Sequence, residues 1–497
     1  MSLLLALDQG TSSSRAILFD EQGRQVAMAQ QSFEQHYPQP GWVEHDPLDL
    51  WHTQLGTARE ALARSGVNPK DISAIGLTNQ RETTLVWDRA SGVPVYRAIV
   101  WQDRRTEADC VTLRQRGLNE QVQRISGLVL DPYFSATKIA WILRHIPNGM
   151  KRAQAGELAF GTVDTWLIHR LTGGQVHATD VSNASRTLLM DLKTGDWSDE
   201  LLDVFGIPRA MLPAIQPSCS HFGVTQSQWL GAEVVIGGVA GDQQSALFGQ
   251  ACLSPGQAKN TYGTGCFLLM HTGEQTLSSG HGLLTTAAAQ AQARPCYALE
   301  GSVFMGGAVV QWLRDGLGLV RQASEIEAMA AQVQDSDGVV MVPAFTGLGA
   351  PYWDAQARGA LLGLTRGSTA AHIARAALES IALQSAAVLQ AMNADALAAG
   401  AHPLSELRVD GGACRNDLLM QMQADVLGLP LLRPQVTETT AWGAACLAAL
   451  QCGVFASQGD FAKRWACERT FEPRMSRDQA QAKMAQWEHA VRQVRQN

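Results

Sequence analysis

An α/β protein built on open sheets is the class this sequence predicts, and three stretches predict it. The first lies near the midpoint, VIGGVAGDQQSALFGQ (Val235 to Gln250). There a β-branched run, Val234 to Ile236, loaded with glycine, releases into one carboxylate, Asp242, and then into an apolar helical segment, Ala246 to Phe248. The second is the N terminus, where the apolar runs Leu3 to Leu7 and Ala16 to Phe19 form the arms of a hairpin around DQGTSSSR, Asp8 to Arg15. The third, KNTYGTGCFLLM (Lys259 to Met270), repeats that logic, with a glycine-hydroxyl turn, Gly263-Thr264-Gly265, running into an apolar strand. At roughly 150 residues per domain, 497 residues make about two to four units, each able to bury a core. The Pro/Gly joint from Leu253 to Gly256 is the expected boundary, giving units 1–252 and 253–497.

Composition removes several classes of partner. The formal net charge is -7, charged residues are 17% of the chain, and there is no Lys/Arg block to track a phosphate backbone, so nucleic acid is not expected as a partner. Nine scattered cysteines without a C-x-x-C pair read as free thiols of a reducing, cytoplasmic compartment. The run Leu3 to Leu7 is too short for a signal peptide and ends at Asp8, as a strand would. The uncharged stretch Thr439 to Gly459 is long enough to span a membrane. Its glutamines, serine, alanines and glycines favour a packed core helix, and no membrane span is expected.

Taken in order, the chain delivers polar side chains at strand ends. In the first hairpin, backbone N–H groups and the hydroxyls of Thr11, Ser12 and Ser13 can converge on an anion, with Arg15 adding a full charge. Asp8 can hold a magnesium ion through water, because Mg²⁺ takes one or two carboxylates and keeps its hydration shell. Asp46-Pro47 is a cap followed by an N1 proline, and Leu48, Trp51, Leu55, Ala58 and Leu62 follow at helical spacing up to Gly66. A strand from Ile72 to Leu77 leads to NQRETT, with Arg81 beside Glu82. Adjacent opposite charges are ordinarily a solvated surface pair.

A strand at Ala98 to Val100 delivers Trp101, a helix runs from about Thr106 to Arg116, and Tyr133 sits in a Pro-marked loop before a helix at Ser135 to His145. Arg81, Glu82, Trp101 and Tyr133 together have the character to hold a small polyol. An uncharged alcohol must be held by several directed hydrogen bonds, each about 1.5 to 3 kcal/mol when a charged group takes part, plus an aromatic face for its C–H groups. GTVDTWLIHRLTGG (Gly161 to Gly174) reads as a helix with a double-glycine stop, and the turn-rich segment Thr179 to Pro213 carries no assigned chemistry. Asp242, at a strand end, is placed to work on a substrate, the plain alternative being an ordinary strand-to-helix turn capped by aspartate.

In the second half, Phe267 follows the second glycine hairpin, which reads as a second phosphate clamp facing the first. Val303 to Asp315 is a glycine-started helix carrying Gln311, and in RVDGGACRN (Arg408 to Asn416) the glycines allow a flat ring to approach the backbone, with Asn416 available to hydrogen-bond it. There is no G-x-x-x-x-G-K-[ST], G-x-G-x-x-G, H-R-D or D-F-G, so P-loop, dinucleotide-binding and protein-kinase chemistry are not first choices.

DQGTSSSR, NQRETT, WQDRRT, YFSATKIAWIL, GTVDTWLIHRLTGG, AGDQQSALFGQ, NTYGTGCFLLM, PAFTGLGAPYWD, RVDGGACRNDLLMQMQAD and TETTAWGAA resemble the FGGY carbohydrate kinases of the actin-like ATPase clan, over nearly the whole chain. NQRETT and WQDRRT resemble the branch that acts on glycerol, as distinct from relatives acting on pentuloses or gluconate. The resemblance implies two actin-like (ribonuclease H-like) domains with mixed sheets flanked by helices, and an active site in the interdomain cleft. It implies ATP-dependent phosphorylation of glycerol to sn-glycerol 3-phosphate with ATP and Mg²⁺. Carried over, Arg81, Glu82, Trp101, Tyr133, Asp242, Gln243 and Phe267 would surround glycerol, with Asp242 as the catalytic base and a possible metal ligand. Thr11, Ser12, Ser13, Arg15, Thr264, Gly307, Gln311, Gly412 and Asn416 would hold ATP or ADP, with Asp8 near Mg²⁺.

A homodimer or homotetramer is expected by inheritance alone, since the surface helices lack a sustained heptad. The stretch between His221 and Val234 is short and lacks the Gly/Arg-rich loop through which some relatives bind a sugar bisphosphate inhibitor, and no histidine matches an activating phosphorylation site. The alternatives are another FGGY sugar kinase, such as one for xylulose, or a non-catalytic actin-like ATP switch.

Overall fold

Leu3–Gln9 (β1) is buried along its whole length, as a continuous apolar run with neighbours on both sides should be. Ser13–Asp20 (β2) returns antiparallel to it, Leu5 opposite Leu18, and Gln25–Ser32 (β3) continues the meander. On the other flank Ile72–Asn79 (β4) runs parallel to β1, and Ile236–Gly241 (β5) runs parallel to β4. The sheet order is therefore β3-β2-β1-β4-β5. Helix α1 (Pro47–Ser65) starts on the cap of Asp46, whose side chain accepts from the Leu48 N–H, and stops at Gly66 with φ 66°. It lays Leu50, Trp51, Leu55, Ala58 and Leu62 against the sheet. Helices α2 (Ser135–His145), α3 (Val163–Leu171) and α4 (Asp242–Gly249) complete the part of this unit that positions the site.

The structure, a computed structural model, describes residues 2–495 and resolves into two units. The first comprises the chain up to Ala251 together with Thr285–Tyr297 and Thr439–Trp465; the second comprises Cys252–Leu284, Ala298–Glu438 and the chain from Ala466 onward. The division at 252/253 expected from sequence thus differs in two later segments that pack into the first unit.

The second unit repeats the first one's plan. Gln257–Tyr262 (β6) and Cys266–Gly273 (β7) form an antiparallel hairpin, followed by Leu284–Ala287 (β8), whose residues from Thr285 on belong to the first unit, and Tyr297–Val303 (β9). Two helices, α5 (Ala308–Asp315) and the long α6 (Ala370–Ala398), precede Glu406–Asp410 (β10), which runs parallel to β6. Then come α7 (Asp417–Leu427) and Leu431–Pro434 (β11), parallel to β10. The chain next leaves for the first unit as α8 (Thr439–Gln451) and returns as Cys467–Phe471 (β12) and α9 (Arg477–Arg495). The sheet reads β8-β9-β7-β6-β10-β11-β12. With β8 and β12 set aside, its order is hairpin partner, first strand, then two parallel strands, as in the first sheet. Each unit has its own apolar core.

Helix α8 is the uncharged stretch that the sequence reads as a packed core helix, and glycines are what let it pack. A Cβ on Gly76 of β4 would lie 2.1 Å from the Ala444 carbonyl oxygen, and one on Gly238 of β5 would lie 2.5 Å from the Ala448 nitrogen. On the helix side, a Cβ on Gly443 would lie 1.9 Å from the Ser245 carbonyl oxygen of α4. The glycines read from sequence as a release from the strand are therefore partly inside β5 itself, under α8. Trp442 meets Phe19 of β2 edge-on, ring centroids 5.2 Å apart. Among the described residues no helix is long and apolar enough to cross a membrane.

Other expectations shift by a few residues. The helix expected over Thr106 to Arg116 spans Glu107–Gln115. Gly161 to Gly174 is helical only as α3, because Leu158–Gly161 is a strand paired with Leu85–Asp88. No disulfide joins the cysteines among the described residues, and burial pushes the thiols of Cys110, Cys252, Cys266 and Cys414 up to about 12.

Asp164 of α3 is fully buried; its Oδ2 accepts from Thr179 Oγ1 at 2.6 Å and its Oδ1 accepts from Thr162 Oγ1. Burial, reinforced by the nearby Asp180 charge, pushes the carboxyl up to about 7.

Three outcomes follow from these environments. Gly76→Ala must displace the α8 backbone, so it should lower stability by about 3 kcal/mol, the upper end of overpacking costs, in urea unfolding. Gly412→Ala, with nothing within 4 Å of its added carbon, should leave the midpoint unchanged. Asp164 has a folded pKa above its unfolded value, so the stability it contributes is complete below about 4 and is lost as pH rises toward 7. Asp164→Asn should flatten the fall in melting temperature across that window, and an unaltered profile would show that Asp164 does not titrate there.

Candidate active site

At the end of β4 the chain turns at once through Gln80, Arg81, Glu82 and Thr83. Glu82 takes φ 61°, a left-handed backbone that costs a non-glycine residue about 1 to 3 kcal/mol. The turn is closed around it by the Thr83 N–H, which donates to the Arg81 carbonyl at 2.7 Å, and by Ser135 Oγ, which donates to the Glu82 carbonyl at 2.9 Å. Arg81 and Glu82 are 3% and 1% exposed, so the solvated surface pair that adjacency suggests is not what forms. Instead Arg81 Nε lies 3.2 Å from Asp242 Oδ1 and 3.9 Å from Glu82 Oε1, and its Nη1 donates to Gln244 Oε1 at 3.2 Å.

Asp242 is the first residue of α4, where the helix dipole favours a carboxylate. Gly241, before it, donates its N–H to Ser182 Oγ at 2.9 Å, and a Cβ there would sit 2.7 Å from the Arg81 side-chain methylenes. Glycine at 241 is therefore what lets Arg81 pass to the carboxylate. Asp242 Oδ1 also accepts from the N–H of Gln243, at 2.8 Å. With 31% of its side chain exposed, Asp242 is the outward member of an otherwise buried charge group, while Gln243 is buried.

Trp101 and Tyr133 meet edge to face, with centroids 5.6 Å apart at 73°. Trp101 Nε1 donates to Thr11 Oγ1 at 3.0 Å, and the Trp101 N–H donates to Thr83 Oγ1 at 3.3 Å, so this aromatic is tied both to the first hairpin and to the Arg81-Glu82 turn. Behind Tyr133, Lys138 of α2 is fully buried and donates from Nζ to the Tyr133 carbonyl at 3.0 Å. Burial pulls its ammonium down to about 7 against the opposing pull of Asp103, Glu82 and Asp131.

The first hairpin turns over Gly10 to Ser13, closed by the Gly10 N–H donating to the Ser13 carbonyl at 3.0 Å. Asp8 and Arg15 face each other across the β1–β2 ladder with Arg15 Nη2 2.7 Å from Asp8 Oδ2. Ser12 is exposed at the tip; Ser13 Oγ accepts from Gln30 Nε2 at 2.9 Å.

The remaining expected residues belong to the second unit. Thr264 is exposed at the tip of the β6–β7 hairpin and Phe267 is half-buried on β7. The start of α5 is docked on that hairpin: the Gly307 N–H donates to the Gly263 carbonyl, and the Gly306 and Ala308 N–H groups donate to the Thr264 carbonyl, at 2.8 to 3.0 Å. A Cβ on Gly307 would lie 2.8 Å from the Gly263 carbonyl oxygen, so glycine there serves this close docking. Gln311 is exposed on α5. Gly412 has open space where a Cβ would be, and Asn416 Oδ1 caps α7 by accepting from the Leu419 N–H at 2.9 Å.

The structure thus joins Arg81, Glu82, Asp242 and Gln243 in one set and Trp101, Tyr133 and Thr11 in another, tied through Thr83, while Asp8 and Arg15 pair with each other across the hairpin. It also adds residues from the segment to which no chemistry was assigned. Arg186, 0% exposed, donates from Nε to Glu82 Oε1 at 2.7 Å. Asn183 and Asn79 exchange amide hydrogen bonds at 3.0 and 3.1 Å. The signal available was DVSNASR, an aspartate cap followed by small polar residues and one arginine, which is too common a composition to single out.

Known proteins resemble this chain over its full length. Residues 3–249 match the N-terminal domain of the FGGY family of carbohydrate kinases and residues 258–452 match its C-terminal domain. The chain is 65% identical over 496 residues to a glycerol kinase of Methylibium petroleiphilum, with 99% of each chain covered, and 60% identical to one of Ralstonia nicotianae, covering 100% and 99%. A crystal structure of Plasmodium falciparum glycerol kinase with ADP matches with TM-score 0.92 at 36% identity, covering 99% of this chain and 98% of that one. A gluconate kinase from Lactobacillus acidophilus, 21% identical with TM-score 0.87 over 99% and 97%, shares the fold. With both family domains matched along a sheet plan that it uses twice, this chain belongs to the FGGY family of carbohydrate kinases.

Proposed function

We propose that this protein transfers the terminal phosphoryl group of ATP to a primary hydroxyl of glycerol, giving sn-glycerol 3-phosphate and ADP, with Asp242 as the base. The observation that carries this reading is the Arg81–Asp242 contact of 3.2 Å, made within one unit by a buried arginine and a carboxylate that still reaches solvent. The full-length likeness to proteins named glycerol kinase supports the choice of acceptor.

Phosphoryl transfer passes through a loose transition state, so the protein's work is positioning and charge neutralisation. Arg81, Glu82 and Gln243 supply directed polar groups for an uncharged triol, and Trp101 with Tyr133 supplies an apolar face for its carbons. Asp242 accepts the proton of the attacking hydroxyl as its oxygen bonds to phosphorus, and the bond from phosphorus to the ADP oxygen breaks. We assign Thr11, Ser12, Ser13 and Arg15 to the nucleotide phosphates from the first unit. In the second unit we assign Thr264, Gly307, Gln311, Gly412 and Asn416 to ATP, and Phe267 to glycerol.

Mg²⁺ fits the donor set at Asp8. One hard carboxylate stands at a strand end, with Oδ2 already taken by Arg15, and the described residues hold no cluster of three or more metal-ligating side chains. That suits an ion that keeps its waters and binds mainly to phosphate oxygens. When bound, the ion would neutralise charge on the phosphates. Asp242, already paired with Arg81, is assigned to the proton.

A coupled ADP-release assay across glycerol, dihydroxyacetone, xylulose and gluconate tests the reading. The largest kcat/KM is expected for glycerol; a larger value for xylulose or gluconate, or ATP turnover that ignores every acceptor, would overturn it. Asp242→Asn should leave both KM values within a few-fold while lowering kcat by on the order of 10² or more. Near wild-type turnover in that variant would remove Asp242 from the role.

A further inference from the structure

Arg186 ends against two of the groups assigned to glycerol. Its Nε donates to Glu82 Oε1 at 2.7 Å, and its guanidinium carbon lies 5.7 Å from the Tyr133 ring centroid and 5.3 Å from that of Phe134. The backbone that carries it is fastened at both strand ends. Asn183 exchanges amide hydrogen bonds with Asn79, the last residue of β4, while Ser182 Oγ accepts from the N–H of Gly241, the last residue of β5. Asp180 holds the turn between them, its carboxylate accepting from the N–H groups of Ser182 and Asn183 at 2.9 Å and from Ser218 Oγ at 2.7 Å. Arg186 is therefore delivered to Glu82 from a rigid mount.

The distances apportion the charges. Glu82 Oε1 is 2.7 Å from Arg186 Nε and 3.9 Å from Arg81 Nε, whereas Arg81 Nε is 3.2 Å from Asp242 Oδ1. Of these three contacts, the two shorter ones join Glu82 to Arg186 and Arg81 to Asp242. Without Arg186, the buried Glu82 carboxylate would lose its partner at 2.7 Å, and its attraction would draw Arg81, 3.9 Å away, toward Glu82 and off Asp242.

We propose that Arg186 is a positioning residue for the acceptor alcohol: by engaging Glu82 and lying over the Tyr133 ring, it keeps Arg81 directed at Asp242. The inference rests on the reading of the Arg81, Glu82 and Asp242 set as the glycerol site.

The test is a double-mutant cycle on the full-length enzyme, with Arg186→Met, Glu82→Gln and the pair, read as separate KM values for glycerol and ATP. Arg186→Met should raise the glycerol KM about ten-fold or more and leave the ATP KM within about two-fold. In the Glu82→Gln background the same substitution should change the glycerol KM by less than about three-fold, because no buried carboxylate remains to compete for Arg81. Equal fold changes in both backgrounds, or equal rises in the two KM values, overturn the proposal. If Arg186→Met does not fold, Arg186→Lys carried through the same comparison decides on the same criteria. Wild-type enzyme that ignores glycerol but phosphorylates another acceptor defeats the assignment of substrate and not of Arg186, and the cycle is then read with that acceptor.

Discussion

Two arginines and two carboxylates meet at the ends of β4 and β5, three of them buried and Asp242 reaching solvent, and the proposed chemistry depends on how their charges are divided. Burying any of the four alone would be prohibitive; paired, they hold one another in place. The pairing is asymmetric. Glu82 and Arg186 are sealed, while Asp242 keeps nearly a third of its side chain accessible. In the proposed reaction a base must meet its substrate, which suits the exposed end of this charge chain, while the sealed end holds the group in place. The left-handed Glu82, the glycine at 241 and the closed turn at Thr83 are backbone concessions that this arrangement requires.

The two sheets use one plan for related ends. A hairpin whose tip carries glycine and hydroxyl residues opens each, and two parallel strands follow on its flank. What each unit adds at its strand ends differs. The first adds charged and aromatic side chains, and the second adds glycines that let α5 sit directly on the hairpin carbonyls. In the proposed reaction the first kind of end suits an alcohol and the second a flat base and its phosphates.

Much of this was legible from sequence because it is local. Paired apolar runs around a glycine turn, the Asp46-Pro47 helix start, and a carboxylate after a β-branched run need only neighbours in the chain to be interpreted. Arg81 and Glu82 were legible as candidates from their place at a strand end and from the family resemblance, but their burial was not, since an adjacent ion pair reads as surface until its distant partners are known. Arg186 was invisible for the same reason: its meaning comes from Glu82, far away in the sequence and 2.7 Å away in space. The return of α8 to the first unit was equally hidden. An apolar helix advertises burial and not which core receives it.

That return has a consequence for how the chain is made. The apolar, glycine-lined face of β4 and β5 is covered by a helix translated some two hundred residues after β5, so the ribosome exposes that face long before its cover exists. The first unit cannot finish folding as it emerges; it must wait, partly open, while nearly all of the second is synthesised. Cutting the gene at the apparent boundary near residue 252 would therefore release a fragment with an uncovered core, and the two halves, however alike in plan, are bound into one heritable piece by a single late helix.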